Sequence, residues 1–249
     1  MKKIALLGLL PTALLNHSVF AGDMGSIEPQ MKWPLVATLS VGSAWQSNGQ
    51  TQTFYLAPEV EKTYTANSAT NVMADGEIFL GLQKELSRQL QGQLGLAVGI
   101  AGNADLSGHI WDDANLQFNN YTYNYKVNHV HLALKGKILA DRGYWLTPWV
   151  SGSLGVGFNR AYSFSNTPTI FEAIPNNNFA SNTETAFTYT LGAGVQRALN
   201  RHWQVGAGYE FADWGKSQLG RALGQTLNSG LGLDHLYTNG FLFNLTYLA

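Results

Sequence analysis

From Pro34 to the end of the chain, apolar and polar residues alternate in eight stretches joined by connections that are alternately long and short. A period of two predicts strands with one apolar and one polar face. The stretches fall at about 34–46, 75–86, 92–104, 124–139, 144–158, 184–198, 202–212 and 234–249. Between them, 47–74, 105–123, 159–183 and 213–233 are long and polar, whereas Ser87–Gln91, Ala140–Gly143 and Leu199–Arg201 are tight turns. Long loops on one side and short turns on the other predict an all-β, up-and-down antiparallel transmembrane β-barrel of eight strands. Ten strands is the architectural alternative, because Thr51–Leu56 in the first long loop reads as a further strand.

The contents of the two faces sharpen this reading. In the second stretch Ile78, Leu80, Leu82 and Leu86 alternate with Glu77, Phe79, Gly81, Gln83 and Glu85. In the seventh, Trp203, Val205, Ala207, Tyr209 and Phe211 alternate with Gln204, Gly206, Gly208 and Glu210. The crowded face is the apolar one, and the other carries Gly, Ala, Ser, Thr, Gln and a few charges. A soluble ligand-binding barrel would have the reverse arrangement. Small polar residues suit the narrow interior of an eight-stranded barrel. Aromatics near the strand ends, among them Trp45, Phe158, Trp203 and Tyr247, suit membrane interfaces.

Composition then sets the compartment. Lys2 and Lys3 precede an apolar run from Ile4 to Leu15, and Val19-Phe20-Ala21 offers a small-residue cleavage site. Residues 1–21 are therefore expected to be a cleaved signal peptide, too short in its apolar core to anchor the chain. Residues 22–33 read as a periplasmic lead-in and 34–249 as the barrel. The chain has no cysteine, which excludes a disulfide scaffold, cysteine-ligated zinc and a lipoprotein anchor. A net charge of −1 gives no electrostatic footprint for nucleic acid. Charged residues are only 12% of the chain, against about a quarter in a soluble domain. Mean hydropathy is −0.09, far below that of a helical membrane protein, as expected when apolar residues occupy every second position.

Seven ionisable residues fall on the face assigned to the lumen: Glu77, Glu85, His129, His131, Lys135, Lys137 and Glu210. Unpaired charge is costly in such an interior, so these are expected to form a structural network that fixes register and fills the barrel. A narrow polar conduit is the functional alternative. His129 and His131 are two residues apart on one strand, about 7 Å, and read as rim hydrogen-bonding groups rather than a metal pair. Asp112-Asp113 reads as solvated loop, since no repeating oxygen-ligand pattern surrounds it. No linked nucleophile and base spacing points to catalysis. No cofactor is expected. Loop aromatics, including Phe54, Tyr55, Tyr64, Trp111, Phe118, Tyr121, Tyr123, Phe164 and Phe171, read as an adaptable contact surface.

Four segments resemble those of known bacterial outer-membrane or surface proteins. Phe241-Leu242-Phe243-Asn244-Leu245-Thr246-Tyr247-Leu248-Ala249 is similar to the C-terminal signal read by the bacterial outer-membrane insertion machinery. Its key positions would be Phe241, Phe243, Leu245, Tyr247 and Ala249, where the family ends in Phe or Trp. Tyr144–Gly157, with Thr147-Pro148-Trp149 within it, resembles a strand of small barrels of the outer membrane protein A type. Gly208-Tyr209-Glu210-Phe211-Ala212-Asp213-Trp214-Gly215 resembles their penultimate strand, and Asn119–Tyr123 resembles segments of uncharacterised bacterial surface proteins. The resemblance implies an outer-membrane location, with outer-membrane lipid, lipopolysaccharide and the insertion machinery as partners. Some members of that family carry a peptidoglycan-binding domain after the barrel; none is expected here, because the chain stops at the eighth strand. The expected role is structural, with surface display, a closed lumen and an unknown extracellular partner. A small-conductance porin-like channel is the alternative, and an outer-membrane enzyme comes behind both.

Overall fold

The computed structural model describes residues 33–47, 49–68 and 71–249. The expected signal peptide, and the expected lead-in apart from Trp33, lie outside the described residues. Twelve strands follow in order: β1 Leu35–Gln46, β2 Gln52–Ala57, β3 Val60–Ala66, β4 Val72–Ser87, β5 Leu90–Asp112, β6 Asn119–Ala140, β7 Thr147–Pro168, β8 Asn182–Ala198, β9 Trp203–Asp213, β10 Ser217–Gln218, β11 Gly232–Leu233 and β12 Tyr237–Leu248.

Eight of these close a ring. Antiparallel pairing runs β1–β4–β5–β6–β7–β8–β9–β12 and returns from β12 to β1. Closure leaves the ring of eight no free edge, as a bilayer demands. The expected ring of eight is therefore present. Thr51–Leu56 does contribute a strand, β2, but β2 and β3 form a hairpin that joins only the outer end of β5, through Lys62–Ala66 opposite Gly108–Asp112. The sheet has ten strands and the barrel eight.

The outward face is apolar from end to end. Leu80, Leu96, Leu134 and Leu154 follow one another around the wall in register, each more than half exposed. In water such a surface would aggregate; in lipid it is solvated. Aromatic clusters mark its two borders. Trp45, Tyr209 and Phe241 meet near the long-loop end, and Trp203 lies against Tyr247 near the short-turn end.

β5 and β7, like β6 with its 22 residues, are much longer than the sequence pattern implied. β5 and β7 have 23 and 22 residues, while roughly 9–11 suffice to cross a bilayer. The expected loops 105–123 and 159–183 shrink to 113–118, with a 3-10 turn at Leu116–Phe118, and to 169–181. The cause is a bulge in each strand. Between Ala101 and Ala104 β5 carries one residue more than β6, and between Tyr162 and Ser165 β7 does so, where Ser163 has a positive φ of 55°. Each extra residue reverses which face the following side chains take. Leu106, Ile110 and Phe164, outward by simple alternation, therefore turn inward and are buried.

Those reversals supply the walls of an apolar core in the outer part of the barrel. Tyr64, Tyr123, Tyr125, Val127, Ile110 and Phe164 surround Trp214, Leu219, Leu231 and Leu236 from the last long loop. Phe54 stacks on Tyr64 at 5.2 Å, and Phe179 packs against Phe54, Tyr64 and Phe164. The loop aromatics read as contact surface are thus partly core; among them Phe171 is fully exposed. Asp112 is likewise no solvated loop residue: it closes β5, pairs with the buried Lys62 and accepts from Asn120 Nδ2 at 3.0 Å. Burial, and next to it the Asp112 charge, push the Tyr64 phenol well above its ordinary pKa, so the ring stays neutral within the core.

Candidate functional site: the filled lumen

Alternation in β4, β6 and β9 aims Glu77, Lys135 and Glu210 at one level of the lumen. The Lys135 ammonium donates to Glu77 Oε1 at 2.6 Å and to Glu210 Oε2 at 3.1 Å. One cation thereby bridges three strands; Lys135 and Glu77 are buried and Glu210 is partly so. Two carboxylates around one ammonium satisfy the requirement that buried charge be paired.

The histidines stand above this triad. His131 Nε2 lies 3.9 Å from Glu77 Oε2, too far for a direct hydrogen bond. His131 Nδ1 is 3.1 Å from His129 Nε2, and His129 Nδ1 is 2.6 Å from Asn159 Oδ1. Asn159 in turn donates to the carbonyls of Trp214 and Lys216. The Trp214 ring stacks on His129 at 4.3 Å with planes 9° apart. The polar column thus leads from the charged triad up to the apolar core. Both histidines are buried within the lumen, not at the rim where the sequence pattern put them.

Glycines on neighbouring strands make room for these rings. A side chain at Gly99 of β5 would strike the His131 ring, and one at Gly157 of β7 would strike His129 Cε1. Gly157→Val should therefore force His129 off both Asn159 and Trp214. The expected cost is about 1–3 kcal/mol, read as a lower urea midpoint of the folded barrel.

Below the triad, the Lys137 ammonium lies 4.5 Å from the Trp149 ring centre and donates to Gln196 Oε1 at 2.6 Å. Gln196 donates on to Gln204, and Gln93 to Gln83. Thr38–Thr246 and Ser153–Thr190 hydroxyl pairs tie neighbouring strands on the lumen face. A cavity of about 30 Å³ remains between Phe79, Trp149, Leu242 and the charged triad. That is room for a water molecule, not for a solute stream.

The structure thus brings together five of the seven expected lumen residues: Glu77, His129, His131, Lys135 and Glu210. Lys137 faces the lumen but bonds a neutral amide. Glu85 does not join; it is exposed at the short-turn end and makes no ion pair among the described residues. Asn159, Trp149 and Trp214 were missed as interior partners. For Trp149 the inward position was available, since it alternates with Val150, whereas Trp214 lies in a loop with no periodicity to reveal its direction. Phe241, Phe243, Leu245 and Tyr247 point outward along β12, and Ala249 N bonds Leu35 O at 3.0 Å.

Solved structures of outer-membrane proteins are similar to the chain. Neisserial surface protein A matches at 8% identity and a TM-score of 0.43, over 86% of this chain and 96% of that one. The outer membrane protease OmpT from Escherichia coli matches at 9% and 0.45, over 91% and 99%. The outer membrane protein OprG from Pseudomonas aeruginosa matches at 13% and 0.42, over 86% and 96%. No curated protein matches the sequence. The family model described as outer membrane protein beta-barrel domain matches residues 34–247, from the residue before β1 almost to the end of β12. The chain therefore belongs to the outer membrane protein beta-barrel family and is a protein of the outer membrane.

Proposed function

We propose that the protein is a structural, surface-displaying barrel whose lumen is closed, rather than a conducting pore or an enzyme. One observation carries the reading: the interior is filled at two successive levels of different chemistry. The lower level is the Lys135–Glu77–Glu210 triad with its histidine column, and the upper is the apolar core built around Leu219, Leu231 and Leu236. A hydrated path needs a continuous polar surface, which the upper level interrupts. Outer-membrane lipid and lipopolysaccharide surround the outward apolar face. The insertion machinery recognises Phe241, Phe243, Leu245, Tyr247 and Ala249 on the last strand. The long loops are held outward for an extracellular partner: Gln52 accepts from Gly232 N, and Thr226 N and Leu227 N both donate to Leu56 O. A rigid scaffold that fixes its loops in this way suits display.

Proteoliposomes test the reading. Vesicles carrying the folded protein should swell in small sugars no faster than protein-free vesicles. Swelling that falls with increasing sugar size would establish a pore and overturn it.

A further inference from the structure

The outer wall has a hollow that the ring itself does not require. Gly136 of β6 and Gly152 of β7 face each other in register, both on the lipid side, between Leu94 of β5 and Leu191 of β8. One row nearer the short turns, Gly92 sits between Lys84 and Ile138. Glycines that face the lumen are forced by close neighbours, as Gly99 and Gly157 are. Gly136 and Gly152 are not: an added Cβ would meet no atom closer than 3.9 Å and 3.6 Å respectively, which is ordinary van der Waals contact. Their effect is a depression of about 630 Å³, walled by Leu82, Leu86, Leu94, Ile138 and Val150. A second hollow of about 390 Å³ continues it along the wall and shares Leu94, Gly136 and Gly152.

The short-turn end of this trough is chemically distinct. Trp33, just before β1, lines it, and the Lys84 ammonium lies 4.6 Å from the Trp33 ring centre. Lys84 points outward on β4 and makes no ion pair among the described residues. The site is thus an apolar groove of chain-like form that ends in one cation beside an interfacial tryptophan.

We propose that the trough is a binding site for one anionic phospholipid in the leaflet at the short-turn side. An acyl chain lies over Gly92, Gly136 and Gly152, and the phosphate-bearing headgroup reaches Lys84. Charge complementarity favours this occupant, since an uncompensated lysine near a membrane surface attracts anionic lipid by about 1 kcal/mol. A second copy of the chain fits less well. A twofold contact sets the same patch against itself, which here would place hollow against hollow. The proposal goes beyond the closed-lumen reading and stands or falls separately from it, because the trough lies on the opposite face of the wall.

Native mass spectrometry of the folded barrel, delipidated and titrated with phosphatidylglycerol or with phosphatidylethanolamine of the same acyl chains, tests it. One tightly retained phosphatidylglycerol is expected, bound about fivefold more strongly than phosphatidylethanolamine. Lys84→Gln should abolish that preference, and Gly136→Leu with Gly152→Leu should remove the retained lipid by filling the groove. Gly152→Val alone, a strand-favouring change whose Cβ makes only ordinary contacts, should weaken retention and carries the test if the double variant does not fold. Equal retention in wild type and groove-filled protein, no headgroup preference in wild type, or a dimer in place of a lipid adduct would each overturn the proposal.

Discussion

Lys135→Ala should cost the folded barrel about 3–5 kcal/mol, because it leaves the buried Glu77 and the partly buried Glu210 carboxylates in the lumen without their shared cation. The Lys135 ammonium lies 2.6 Å from Glu77 and 3.1 Å from Glu210, on strands separated around the ring. Removing it therefore loses a tie across the lumen and adds like-charge repulsion at the same place. Urea titration of the protein in micelles reads the loss as a lower midpoint. A companion variant separates lost attraction from stranded charge. Lys135→Met combined with Glu77→Gln and Glu210→Gln replaces the triad by neutral groups of similar size, and it should recover most of the stability. Lys137→Ala should cost clearly less than Lys135→Ala, since its hydrogen-bond partner Gln196 is neutral. An unchanged midpoint for Lys135→Ala would mean that the triad does not hold the ring together.

Leu231→Asp should release the last long loop from the barrel mouth. Leu231 is 1% exposed and sits among Leu219, Leu233, Leu236 and aromatic rings, where a carboxylate has no partner. Besides the buried Trp214, Leu219, Leu233 and Leu236, which share that core, the loop is tied by hydrogen bonds such as Gln52 to Gly232 and Asn228 to Tyr55. A penalty of about 3 kcal/mol or more should shift the loop toward an open state by at least a hundredfold. Trypsin reads that population at Arg221, whose guanidinium is tied in the closed loop to the Asn228 carbonyl. Cleavage after Arg221 should accelerate by the same factor while the ring strands stay protected. The variant should still not conduct, because the charged level beneath remains in place. Unaltered tryptic cleavage would show that the upper core does not secure the loop.

Period-two alternation, with long and short connections, made the ring legible before any coordinates. It assigned the lipid face, the lumen face and the inward direction of Glu77, His129, His131, Lys135, Lys137 and Glu210. It failed where the alternation itself slips. The bulges near Asn103 and Ser163 reverse the faces of β5 and β7, so a continuing strand reads as the start of an aperiodic loop. For the same reason Leu106, Ile110 and Phe164 could not be recognised as core. Glu85 failed for another reason: it has the right parity but lies too near the turn to be enclosed. The last loop was the least legible element. Its leucines follow no period, and their burial depends on meeting Tyr64, Tyr123 and Phe164 from other parts of the chain. The contact between Trp214 and His129 is of the same kind, a long-range packing that no local pattern encodes.

Closure of the lumen at two levels is the central claim, and single-channel recording across a planar bilayer tests it most directly. Wild-type protein reconstituted at low copy number should give a flat current over the range of applied voltages. Discrete, reproducible conductance steps from the wild-type barrel would contradict the claim.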